Sequence, residues 1–249
     1  MDGVVPEVYN RLSNPIFGAV TAMNRLVCCL ILGSLVSGLT AQDKPTGPAR
    51  WESEIQKFET AGRASAAATE AVMFYGSSSA RLWNLEESFP GLPTVNRGFG
   101  GSRMDDAAYF YDRVVPSSKP RVVVLYEGDN DIAGGRTACQ VLADFEALTT
   151  KHRVALPDSQ LICLSIKYSP SRAKFRLEQE AANALLKARC ARDSRLTYCD
   201  LATLLLNTNG EPDPKYFMKD MLHLNAEGYA VWSAALRPQL EPHLASPRP

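Results

Sequence analysis

Short apolar runs alternate with stretches whose apolar residues recur at helical spacing, and this alternation governs most of the chain. The runs are Ala71–Tyr75, Pro93–Asn96, Val122–Tyr126, Gln160–Ser165 and Leu196–Asp200, each with the length and composition of a buried strand. Around and between them, Trp51–Phe58, Asp105–Arg113, Cys139–Ala155, Lys174–Ala191 and Ala226–Leu236 carry the helical pattern. Strands separated by helices need right-handed crossovers. The pattern therefore predicts a five-stranded parallel sheet covered on both faces, a three-layer α/β/α sandwich. Ligands of such sheets bind beyond the carboxyl ends of the strands, where the strand order reverses. The residues just after each run are where chemistry is to be sought.

The amino-terminal part has a different pattern. Met23-Asn24-Arg25 precedes an apolar stretch from Leu26 to Leu39, followed by Thr40-Ala41-Gln42-Asp43. A basic start, a short apolar core and a small residue before a polar turn are the parts of a secretory signal, with cleavage expected after Ala41 and translation expected to start at Met23. The stretch falls short of the ~20 apolar residues that span a bilayer, so export is favoured over a membrane anchor, with no transmembrane span left after signal removal. The expected organisation is a leader at 1–41, an N-terminal helix region at 42–65, an α/β domain at 66–240 and a tail at 241–249.

Composition narrows the partners. With 27 basic and 27 acidic residues in 249, the chain has no broad charge to hold nucleic acid or an anionic membrane. Cys28 and Cys29 fall in the leader. Cys139, Cys163, Cys190 and Cys199 lack the C-x-x-C spacing of a zinc site, and Cys163 and Cys199 read as small core residues; any disulfide pairing stays open.

Each strand end then offers a group. Gly76-Ser77-Ser78-Ser79 follows the first run, where a glycine permits a tight turn that lifts a hydroxyl above the sheet; taken alone, it reads first as a serine-rich turn with a helix cap. Asn96-Arg97-Gly98-Phe99-Gly100-Gly101-Ser102 follows the second and lets backbone N–H groups approach a ligand, or is a flexible turn. Glu127-Gly128-Asp129-Asn130-Asp131 follows the third, with an amide for a developing oxyanion and carboxylates that could bind a metal. Lys167 and Arg172, after the fourth, read as solvated loop residues, with a place in the site as the alternative.

Of the three histidines, His152 sits in a Lys-His-Arg helix end and His243 in the tail, so both read as solvated. His223 stands three residues after Asp220, a spacing that lets a carboxylate fix an imidazole tautomer. A hydroxyl, N–H donors, an amide and an Asp–His pair at one sheet edge are the parts of an acyl-transfer site.

In this order the four blocks resemble those of the SGNH hydrolases, the GDSL-like esterases and lipases, and are similar to the bacterial branch related to platelet-activating-factor acetylhydrolase. Gly76-Ser77-Ser78-Ser79 is similar to G-D-S-L, with Ser77 in place of the aspartate. Gly128-Asp129-Asn130-Asp131 matches G-x-N-D, and Asp220-Met221-Leu222-His223 matches D-x-x-H. The resemblance implies a flavodoxin-like sheet and catalytic Ser78, Asp220 and His223. It also implies an oxyanion hole of Ser78, Gly101 and Asn130, no metal or organic cofactor, and a small-molecule, carbohydrate or lipid ester as substrate. Two rivals remain: a metal-dependent phosphoesterase using Glu127, Asp129, Asp131, Asp220 and His223, and a non-catalytic carbohydrate-binding protein on the same fold.

Overall fold

The apolar runs become the strands of one sheet. The computed structural model describes residues 47–64 and 70–245. Its strands are β1 (Val72–Gly76), β2 (Thr94–Gly98), β3 (Val122–Tyr126), β4 (Gln160–Leu164) and β5 (Leu196–Cys199). They lie in the order β2-β1-β3-β4-β5, and every pair is parallel. The chain steps from β1 to one side, then returns to the other for β3, so loops leave β1 and β3 in opposite directions and open a crevice between them. The expected leader at 1–41, the start at Met23 and hence the basis for export lie outside the described residues.

Alternation along the strands sorts the core into two layers. Met73, Tyr75, Val123 and Leu125 face one side, while Val72, Phe74, Val122 and Val124 face the other. The first side is covered by α1 (Glu52–Ala64), α4 (Met104–Val114), α6 (Ala138–Ala155) and α7 (Arg176–Cys190). The second carries α2 (Ser78–Arg81), α3 (Leu85–Ser88) and α8 (Ala226–Ala245). A short α5 (Asp129–Ala133) follows β3. Among the described residues no helix is long and apolar enough to cross a membrane.

Three expectations need correction here. The helix expected to end at Leu236 runs on to Ala245, so the first residues of the expected tail are helical despite Pro238 and Pro242. Both prolines are exposed, whereas Trp232, Leu236 and Leu240 form a stripe of spacing four that is fully buried against the sheet. Each proline costs a helix interior about 3 kcal/mol, and each buried side chain returns roughly 2 kcal/mol. Arg121 Nη1 also donates to the carbonyls of His243 and Leu244, which fixes the last turn and leaves His243 half-buried rather than solvated.

His152 is likewise not solvated: it is 1% exposed, on the α6 face that carries Val141, Phe145 and Leu148. Its Nε2 lies 3.0 Å from the Ser159 carbonyl, which can only accept, so Nδ1 accepts from the Tyr111 hydroxyl at 2.6 Å. Burial lowers its pKa. The flanking Lys151 and Arg153 lie to either side of that buried stripe, paired with Asp112 and Asp193, and their charge masks it in the sequence.

Gly76 has φ +124°, and a Cβ there would lie 2.1 Å from the Tyr126 carbonyl oxygen. Both the backbone strain and the clash apply, so Gly76→Ala is expected to lower unfolding free energy by more than about 2 kcal/mol. A urea titration reads this as a lower midpoint; an unshifted midpoint would contradict it.

Candidate active site

The strand-to-helix turn after β1 leaves one accessible serine out of three. Ser77 donates its amide to the Tyr126 carbonyl at 3.0 Å, and its own carbonyl accepts from Ala80 and Arg81, which starts α2. Ser77 and Ser79 are buried, whereas Ser78 is half-buried beside a cavity. Its Oγ lies 3.0 Å from His223 Nε2.

His223 is oriented by a carboxylate. Asp220 Oδ2 lies 2.6 Å from His223 Nδ1, and Asp220 Oδ1 accepts the amides of Leu222 and His223 at 3.0 Å each. A carboxylate only accepts, so Nδ1 carries the proton and Nε2 is free to accept from Ser78. Burial alone would raise the Asp220 carboxyl, but the hydrogen bonds from the His223 ring and the two amides outweigh it and bring the pKa down to about 2. The loop itself is pinned by a bridge between Phe217 and Leu224 and by the Met218 amide on the His223 carbonyl at 2.8 Å. Asn225 caps α8, accepting from the Gly228 amide at 3.0 Å, so the same stretch carries both a helix cap and the Asp–His pair.

The second and third blocks reach the same cavity. Asn96 accepts the Gly98 amide at 2.9 Å and donates to the Ala80 carbonyl at 2.8 Å, which ties the glycine loop to α2. Ser78, Gly101, Asn130 and His223 all line a cavity of about 380 Å³, together with Trp51 and Arg81. Among the described residues the Ser78 and Gly101 amides donate to no other group. Asn130 Nδ2 donates to the Ser102 carbonyl at 2.9 Å, and one N–H of that amide remains. All five expected site residues are thus brought together. A larger cavity of about 590 Å³, under Leu82, Met218 and Tyr229, touches none of them.

The carboxylates around Asn130 do not converge on a metal. Glu127 Oε1 faces Ser102 Oγ at 2.5 Å, and burial together with the nearby Asp131 charge pushes its pKa well up. Asp131 accepts the Met104 amide with both oxygens at 3.1 Å and so heads α4; burial raises it to about 6. Among the described residues no three His, Cys, Asp or Glu side chains gather to hold an ion.

Two residues read as solvated prove otherwise. Lys167 is 1% exposed and its Nζ lies 2.6 Å from Asp129 Oδ2, while Arg172 Nη1 lies 2.7 Å from Asp129 Oδ1. Burial acts to raise the Asp129 carboxyl, but the Lys167 and Arg172 charges and hydrogen bonds outweigh it and hold the pKa below its usual value. Sequence reading also passed over Trp51, which is buried beside the cavity with its Nε1 on the Gly100 carbonyl at 3.0 Å and its ring edge-on to Phe99. A tryptophan at the start of the amphipathic leading helix was the available signal.

Solved structures share this fold. A Streptococcus pneumonia protein named for platelet activating factor is 21% identical, with a TM-score of 0.70 over 76% of this chain and 92% of its own. A GDSL-like lipase from Bacteroides thetaiotaomicron is 18% identical, with a TM-score of 0.62 over 76% of this chain and 97% of its own. A carbohydrate esterase of family 3 from Talaromyces cellulolyticus is 17% identical, with a TM-score of 0.57 over 72% and 99%. No curated protein matches the sequence significantly. Residues 60–231, well over half of the chain, match the GDSL-like Lipase/Acylhydrolase family model, and the chain belongs to that family of serine hydrolases acting on ester bonds.

Proposed function

We propose that the protein is an exported esterase that cleaves short-chain acyl esters, acetyl esters foremost, through an acyl-enzyme on Ser78. The observation that carries this reading is the continuous path from Asp220 through His223 to Ser78, ending beside the free amides of Ser78 and Gly101. His223 Nε2 takes the Ser78 proton as Oγ attacks the ester carbonyl. The oxyanion that forms is held by the Ser78 and Gly101 N–H groups and the remaining N–H of Asn130. His223 then returns the proton to the leaving alcohol, and water repeats the cycle to free the acid. Asp220 stays ionised across the physiological range because its pKa is about 2, so it holds the tautomer and stabilises the imidazolium.

The lining of the site favours a short acyl group. The open cavity of about 380 Å³ is bordered by Trp51 and by the charged Glu54 and Arg81, and apart from Trp51 and Leu222 its walls are polar or glycine, which gives a long acyl chain little apolar surface. An acetyl esterase and an acetyl-xylooligosaccharide esterase are among the proteins that share the fold, which supports the same direction. Export rests on the leader pattern before Ala41.

Ser78→Ala is expected to abolish hydrolysis of p-nitrophenyl acetate and labelling by a serine-directed phosphonate, while Ser77→Ala and Ser79→Ala keep most of both. If either neighbour were the dead variant, the nucleophile would be misassigned. Asn130→Ala should lower kcat by ~10²–10³ with KM little changed, the usual loss for one oxyanion donor; unchanged turnover would remove Asn130 from the mechanism. Across a p-nitrophenyl ester series, kcat/KM is expected to be greatest for acetate and to fall at least tenfold by octanoate, roughly the discrimination that steric exclusion of several methylenes supplies. A maximum at octanoate or beyond would overturn the short-chain reading.

A further inference from the structure

Arg172 spans the turn that carries Asn130. Its Nη1 donates to the Asp129 carbonyl at 2.6 Å and pairs with Asp129 Oδ1 at 2.7 Å, while Nη2 donates to Asn130 Oδ1 at 2.9 Å. A guanidinium has donors only, and the Ser102 carbonyl on the other side of Asn130 only accepts. One orientation of the amide satisfies both neighbours. Reversing it would set N–H against N–H on one side and oxygen against oxygen on the other.

We propose that Arg172 is a positioning residue for the reaction: it locks the Asn130 amide with its N–H toward the oxyanion and polarises it by hydrogen bonding to Oδ1. The proposal rests on the reading of Asn130 as an oxyanion donor. Three further observations carry it. The Arg172 side chain is only 15% exposed, so water competes weakly for the amide oxygen. A hydrogen bond accepted by the oxygen of an amide makes its N–H a stronger donor. Asp129 is shared with the buried Lys167, whose Nζ also donates to the Tyr126 hydroxyl at 3.1 Å. The shared carboxylate thereby fixes the guanidinium against the Asn130 amide.

The same loop steadies the other half of the site. The amide of Ser171, next to Arg172, donates to the Met221 carbonyl at 3.1 Å, within the Asp220–His223 turn. Lys167 and Asp129 form a rigid seat that Arg172 completes, and Gln179 Nε2 closes it by donating to the Lys167 carbonyl at 3.3 Å. Nothing places Arg172 at the cavity surface, so its effect passes through Asn130.

A double-mutant cycle separates this from a merely structural role. Arg172→Met should lower kcat on p-nitrophenyl acetate by about 10- to 100-fold with KM within about twofold, the scale of loss for a misplaced reacting group. In an Asn130→Ala background the same substitution should cost less than about threefold, because the amide it positions is gone. Arg172→Lys keeps the charge on Asp129 without the fork. It should regain most of the melting temperature while kcat stays depressed, and it carries the same cycle if Arg172→Met does not fold. Equal losses in both backgrounds, or a rise in KM at unchanged kcat, would overturn the proposal. If Asn130→Ala alone leaves kcat unchanged, the reading of Asn130 fails instead, and the two failures are told apart.

Discussion

One hydrogen bond sets the geometry on which the site depends: the Ser77 amide on the Tyr126 carbonyl at 3.0 Å, at the ends of two neighbouring strands. Gly76 and Tyr126 are paired across β1 and β3, and only a residue without Cβ lets the chain bend over that carbonyl. Because β1 lies between β2 and β3 in the sheet, the loop after β2 stands on one flank of it and the loop after β3 on the other. The turn at Ser78 stands between them, so Gly101 and Asn130 approach it from two directions without any long excursion of the chain.

Around that turn, the polar groups are arranged so that each bond has one possible direction. Asp220 can only accept from His223, which leaves Nε2 facing Ser78; Arg172 can only donate to Asn130, which leaves Nδ2 facing Ser102. A site of this kind loses little on reorganisation when charge develops, because its dipoles already point the right way. The cost is concentrated at Asp129, a carboxylate buried with two cations, where removing one partner strands the others in a low-dielectric interior.

Sequence alone carried most of the fold and the proposed reacting groups. Strands of continuous apolar residues and helices of periodic ones are direct consequences of burial, and β3 coincides with its apolar run. Ser78, Gly101 and Asn130 were legible as candidates because their blocks follow strands and resemble the family's motifs, and Asp220 and His223 because they share a short turn. Lys167 and Arg172 were not, since a basic residue among Ser and Pro looks solvated unless its partner is known, and Asp129 lies about forty positions earlier, at the start of the short helix after β3. His152 and the end of α8 misled for a related reason. Flanking charges and prolines are visible in the string, but the buried stripe that overrules them depends on which helix face meets the sheet.

The family match begins at residue 60, yet Trp51 lies before it and seals the glycine loop by bonding the Gly100 carbonyl and packing edge-on against Phe99. Part of the pocket wall is therefore contributed by a segment that precedes the residues matching the family model. A fragment trimmed to the family boundary would keep every proposed reacting group while baring a carbonyl and an aromatic edge beside them. Relatives that differ only in this leading helix would present differently shaped mouths over the same chemistry, so selectivity can diversify by exchanging one peripheral element while the sheet and its turns stay fixed.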